Sequence, residues 1–295
     1  MKKTIFKGSG VALVTPMTQD GEINYNELER LIEFQISNGT DAIISCGTTG
    51  ESATLSEQEH KDVLDFTVKK VNGRIPVIAG TGSNNTETAL KKSLQAEKLG
   101  VDGLLIVTPY YNKTSQEGII QHYNYIANKV NTPIILYNVP SRTGVNIKPE
   151  TYFELSKHQN ICAVKEANGD ISSVAKTISL CGDNLKVYSG NDDQIIPILS
   201  LGGIGVISVF SNICPKECHT LIKEFFEGNT ELSTCMQLKY FELMNVMFCD
   251  VNPIPIKEAL NLKGFDCGSC RLPLYKLSDA NYKKLVDTLK KYSII

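Results

Sequence analysis

Eight short apolar runs, at residues 11–15, 41–45, 75–79, 103–107, 133–137, 161–165, 186–189 and 205–209, dominate the first two thirds of the chain. Continuous runs, apolar on both faces, suit parallel strands covered on each side, and parallel strands require crossover connections that are usually helical. The segments between them carry helical signals. After Ser115, the residues Ile119, Tyr123, Ile126, Ala127 and Val130 fall on one helix face. Ser56-Glu-Gln-Glu59 reads as a capping box opening a helix through Val71, and Asn24 or Asn26 can cap a helix carrying Leu28, Leu31 and Ile32. Gly39, Gly73 and Gly100 stop successive helices shortly before the next strand. This punctuation returns about every 30 residues. Eight strands alternating with helices predict a (β/α)₈ TIM barrel rather than an open doubly wound sheet. Beyond Pro215 the strand signal is lost, and helices are expected near 215–227, 231–248, 255–263 and 278–292. The expected organisation is a catalytic barrel over 1–228 and a C-terminal helical extension over 229–295.

Charge narrows the function classes. Thirty Lys and Arg stand against 32 Asp and Glu, so no electrostatic case exists for nucleic acid or a membrane surface. No apolar run approaches the ~20 residues that cross a bilayer, and the start Met1-Lys-Lys-Thr-Ile-Phe-Lys7 has no extended apolar core of a signal peptide. A cytoplasmic protein acting on a small molecule is expected. Nine cysteines, an odd number scattered through apolar runs, read as free thiols in a reducing compartment. Cys267-Gly-Ser-Cys270 has the spacing of half a zinc site or a redox pair, and Cys214 and Cys218 are four apart. Neither pair has the partner spacing of a zinc fold, and Cys214-Pro-Lys-Glu-Cys218 reads as a helix start, so no metal is expected.

Chemistry enters at Lys165, inside the apolar run Ile161-Cys-Ala-Val-Lys-Glu-Ala167. Burial disfavours the ammonium form and can leave an amine able to attack a carbonyl near pH 7. The alternative is a core lysine neutralised by a neighbour such as Glu166. Position favours the first reading. Catalytic groups of TIM barrels project from the C-terminal ends of the strands and the loops that follow. Lys165 closes strand six, Tyr137 closes strand five and Thr48 follows strand two. Tyr110 and Tyr111 follow strand four, and Arg142 lies in the loop after strand five. Gly47-Thr-Thr-Gly-Glu-Ser52 offers backbone N–H groups and hydroxyls that could cradle a carboxylate, although ordinary βα turns use the same residues. Tyr137 can shuttle a proton if a hydroxyl relay orients it, or it is a core aromatic. Arg142 is either a solvated loop residue or a planar fork for a carboxylate.

Gly47-Thr-Thr-Gly-Glu51, Val107-Thr-Pro-Tyr-Tyr111, Tyr137-Asn-Val-Pro-Ser-Arg-Thr-Gly144, Val164-Lys-Glu-Ala167 and Asn252-Pro-Ile-Pro-Ile-Lys257 together resemble the dihydrodipicolinate synthase family over essentially the whole chain. The Gly-x-Thr-Gly-Glu turn and the lysine are shared with the wider superfamily of pyruvate-dependent class I aldolases and lyases. Arg142 carries the finer resemblance. What it implies is a Schiff base between Lys165 and pyruvate, whose enamine adds to L-aspartate 4-semialdehyde to give 4-hydroxy-tetrahydrodipicolinate, the first committed step toward diaminopimelate and lysine. Tyr137 is implied as proton donor and acceptor, joined to Thr48 and to Tyr111, which in the family comes from a neighbouring subunit. Thr49 and the Ile207 backbone match positions that contact pyruvate, and Arg142 matches the residue receiving the semialdehyde carboxylate. No metal or organic cofactor is implied, and the family usually forms a homotetramer, a dimer of dimers. The competing expectation is a sibling enzyme, such as an N-acetylneuraminate lyase or a 2-keto-3-deoxy sugar acid aldolase.

One departure stands out. Many members of the family are inhibited by lysine at a dimer-interface site. Ser52, His60, Asn84 and Tyr110 keep its pattern, but Glu57 replaces the first histidine of a pair and Thr88 replaces a glutamate. Glu87, one residue earlier on the predicted helix, would face ~100° away. Loss of the glutamate removes a partner for an amino group, so weak or absent lysine inhibition is expected.

Overall fold

The computed structural model describes residues 2–295. Each apolar run contributes a strand: β1 (Gly8–Ala12), β2 (Ala42–Ser45), β3 (Val77–Gly80), β4 (Gly103–Val107), β5 (Ile134–Asn138), β6 (Ile161–Glu166), β7 (Lys186–Ser189) and β8 (Gly205–Ser208). They pair in parallel and in chain order into a closed barrel. Two strands depart from the apolar pattern for identifiable reasons. β1 begins at Gly8 rather than at residue 11, because the seam with β8 pairs Gly8 with Gly205. A Cβ on Gly205 would stand 2.1 Å from the Gly8 carbonyl oxygen, so the seam admits only glycine at the start of β8. β3 begins at Val77 rather than at residue 75, since Pro76 has no N–H to give a ladder.

The helices are α1 (Tyr25–Ser37), α2 (Glu57–Val71), α3 (Thr86–Lys98), α4 (Gln116–Ala127), α5 (Pro140–Thr143), α6 (Pro149–Leu155), α7 (Ile171–Cys181), α8 (Ile195–Ser200), α9 (Pro215–Phe226), α10 (Thr230–Val246), α11 (Ile254–Leu262) and α12 (Asp279–Lys291). Asn24, not Asn26, caps α1 by accepting from the Glu27 N–H. Ser56 and Glu59 form the predicted capping box on α2. Gly39, Gly73 and Gly100 all take the left-handed conformation. Cys214 precedes Pro215 at the first turn of α9, as expected for a helix start.

Apolar surface is buried in two places. One cluster fills the lumen, with Ala12, Ile44, Ile78, Leu105, Ile135 and Ile207 among its members. Phe6 stacks on Tyr188 at 4.3 Å there, and the Tyr188 hydroxyl donates to the Phe6 carbonyl at 2.6 Å. The larger cluster lies between the barrel and its helices. α9 is the last barrel helix, and α10 to α12 form the extension. The expected boundary falls at the turn Gly228–Asn229, but α10 packs against α8 and α9. Among the described residues, no helix is long and apolar enough to cross a membrane.

Candidate active site

Alternation along a strand decides what faces the lumen. β5 and β6 pair with Tyr137 opposite Lys165 and Asn138 opposite Glu166, so the first pair points inward and the second outward. Lys165 is only 5% exposed, and its amine sits 4.5 Å above the Tyr137 ring. Burial brings its pKa down to about 8, with the Asp192 carboxylate opposing that shift and the Arg142 guanidinium adding to it. Glu166 does not neutralise Lys165. On the far side of the sheet it accepts from Tyr152 Oη at 2.7 Å, Asn138 Nδ2 at 2.9 Å and the Asn168 N–H at 2.9 Å. Burial pushes its own pKa up to about 7 despite those donors. The Tyr137 phenol is likewise raised, chiefly by burial, while Arg142 and a hydrogen-bonding contact with Thr48 act against the rise.

These groups share one cavity of about 180 Å³ at the C-terminal end of the barrel. Lys165, Tyr137, Thr48, Thr49 and Arg142 line it, together with Asn252 from the extension. Arg142 lies in the one-turn α5, which Gly144 ends in the left-handed conformation, rather than in an irregular loop. Asn252 joins two sides of the cavity. Its Nδ2 donates to Thr49 Oγ1 at 3.0 Å, and its carbonyl accepts from the Arg142 guanidinium at 3.2 Å. The Thr48–Thr49 turn is held from behind by Glu51, which has φ of +55°. Glu51 Oε1 pairs with Lys257 Nζ at 2.7 Å, and Oε2 accepts from the Arg271 N–H at 2.9 Å.

Two predicted positions lie outside this cavity. Ile207 is fully buried in the lumen, and Val209 forms the wall at the end of β8. Tyr111 has φ of +70° and is 91% exposed, so a single chain does not bring its hydroxyl to Tyr137. Asn252, Lys257 and Asp192 acquired no role from residue patterns. Asp192 follows β7, where the rule about strand ends could have found it. It accepts from the N–H groups of Val209 and Phe210 at 3.0 and 2.9 Å, which shapes the β8 wall. All nine cysteines are free, and among the described residues no three His, Cys, Asp or Glu side chains are grouped to hold a metal ion.

Comparison with known proteins identifies the family. Residues 5–292 match the model of the Dihydrodipicolinate synthetase family. The chain is 54% identical over 292 residues to 4-hydroxy-tetrahydrodipicolinate synthase 1 of Clostridium acetobutylicum, covering 99% of each chain. It superposes with a TM-score of 0.97 on the chloride-inhibited dihydrodipicolinate synthase of Acinetobacter baumannii complexed with pyruvate, at 42% identity over 99% of this chain and 100% of that one. A monomeric dihydrodipicolinate synthase variant is 45% identical with a TM-score of 0.96, over 99% of this chain and 98% of that one.

Proposed function

The chain belongs to the dihydrodipicolinate synthetase family, and from that membership we propose that it condenses pyruvate with L-aspartate 4-semialdehyde to 4-hydroxy-tetrahydrodipicolinate through a Schiff base on Lys165. The observation that carries the reading is a buried lysine with its pKa brought to about 8, above the Tyr137 ring and in one cavity with Thr48, Thr49 and Arg142. The neutral amine attacks the pyruvate ketone, and the carbinolamine loses water to give the imine. Loss of a methyl proton yields the enamine, which adds to the aldehyde. The amino group of the semialdehyde then displaces the lysine as the ring closes. Tyr137 exchanges the protons with Thr48 beside it. Thr49 and the backbone near Ile207 orient pyruvate, and Arg142 receives the semialdehyde carboxylate as a fork. The test is borohydride reduction in the presence of pyruvate, with a coupled assay on the semialdehyde and on N-acetylneuraminate. A pyruvyl mass on Lys165 and turnover of the semialdehyde are expected. Turnover of N-acetylneuraminate alone would move the assignment to the sibling lyases.

Arg142→Ala separates the two substrates. Adduct formation should persist while kcat/KM for the semialdehyde falls about 10- to 100-fold, the worth of a hydrogen bond to a charged group. If the variant keeps full use of the semialdehyde, Arg142 does not bind its carboxylate.

The exposed Tyr111 is completed in a dimer, where it enters the partner's site, and the full assembly is a homotetramer working in the cytoplasm. Sedimentation of the purified chain tests this, since a monomeric variant exists among the relatives. Lysine inhibition is weak or absent. Glu57 is already paired with Lys91 at 2.6 Å, and His60 is buried against the Gly80 carbonyl at 2.8 Å. Half-inhibition by lysine below about 1 mM, corresponding to ~4 kcal/mol of binding, contradicts this expectation.

A further inference from the structure

We propose that Glu166 is a positioning residue for the reaction, the centre of an outward-facing clamp with Asn138 and Tyr152 that fixes the register of Lys165 against Tyr137. The proposal rests on the reading of those two residues as the reacting pair. Its starting point is an irregularity: β5 and β6 pair Ile134 with Ile161 but Ile135 with Ala163, so β6 holds one extra residue at the start of the ladder. A bulge of this kind offsets the pairing beyond it by one residue, and a slip by one residue turns every side chain to the opposite face. Such a slip would withdraw the lysine from the lumen.

The side chains just past the reacting pair prevent that slip. Asn138 Nδ2 donates to Glu166 Oε1 at 2.9 Å and Oε2 at 3.2 Å across the two strands. Tyr152 Oη on α6 donates to Oε2, and the Asn168 N–H of the following turn donates to Oε1. Asn138 also holds the segment after Arg142, giving a hydrogen bond to Asn146 Oδ1 at 2.8 Å and taking one from the Ile147 N–H at 3.2 Å. All three clamp side chains are buried. The amide nitrogen, the phenol and the backbone N–H are all donors to Glu166, so they need an acceptor without an N–H of its own. A carboxylate meets that demand on both oxygens, whereas a glutamine keeps one acceptor oxygen and turns an N–H toward the remaining donors. The chemistry of residue 166 is thereby tied to the geometry of its neighbour, 165.

The experiment measures the rate at which borohydride traps the pyruvyl adduct in wild type, Glu166→Gln and Tyr152→Phe, alongside thermal melting and the KM for pyruvate. Glu166→Gln is expected to trap adduct about 10- to 100-fold more slowly, as misplacement of a reacting group by about 1 Å does. Its KM for pyruvate should stay within about threefold of wild type. Trapping at the wild-type rate, with or without a lower melting temperature, overturns the proposal and leaves Glu166 a structural residue only. If Glu166→Gln does not fold, Tyr152→Phe decides: slower trapping supports the clamp, and the wild-type rate overturns it. Absence of an adduct in the wild type is a different failure, that of the Schiff-base reading itself.

Discussion

Lys165→Ala is expected to leave no borohydride-trapped pyruvyl mass on the protein and to lower turnover by at least about a thousandfold. Without the amine no imine forms, and without the imine the pyruvate methyl protons are held too tightly for Tyr137 or any group near it to remove. The wild-type enzyme supplies a second signature in the same assay. With its pKa near 8, roughly one Lys165 in ten is neutral at pH 7, against a few in ten thousand for an ordinary lysine. The direction follows from burial, which penalises the ammonium more than Asp192 restores it. The adduct rate at low pyruvate should therefore rise with pH and level off above about 8. A rate still climbing tenfold per unit at pH 9 would mean that the lysine is solvated. An adduct in Lys165→Ala would place the nucleophile elsewhere.

Lys257→Met should cost about 3–5 kcal/mol of stability, read from urea unfolding. The side chains of Lys257 and Glu51 are 2% and 1% exposed, so removing the cation leaves a carboxylate with neither water nor counter-charge. The Arg271 N–H still donates to Glu51, which is too little to offset a buried charge. The double variant Glu51→Gln with Lys257→Met should recover much of that loss, because it removes the unpaired charge together with its partner. A loss below about 1 kcal/mol in the single variant would show that water reaches Glu51. Function enters here too. The pair ties the turn bearing Thr48 and Thr49 to α11, so the single variant should also weaken pyruvate binding.

Local periodicity made the barrel legible. The capping box at Ser56 and the buried stripe from Ile119 to Ala127, where α4 ends short of the expected Val130, report backbone geometry within a few turns, and they needed no tertiary knowledge. Lys165, Tyr137, Thr48 and Arg142 were legible as candidates because strand ends in a barrel share one face. The start of β1 was less so: Gly8 pairs with Gly205 at the closing seam, where a Cβ on Gly205 would meet the Gly8 backbone and one on Gly8 the Asp41 side chain, and no property of the segment alone announces those contacts. The alternative that paired Glu166 with Lys165 fails for a related reason. Sequence adjacency suggested Lys165, whereas the pleat sends neighbouring residues to opposite faces and delivers Glu166 to Asn138 and Tyr152.

By itself, the sequence determined the class of fold, the lysine and the residues that share its rim, since strand alternation and helical period are written into each short segment by its own backbone. Only the tertiary structure decided what surrounds them. Asn252 reaches Thr49 across 203 residues, and Lys257 reaches Glu51 across 206. Those meetings follow from closure of the barrel and docking of the extension over its mouth, where the balance of desolvation and pairing selects partners that no local pattern encodes.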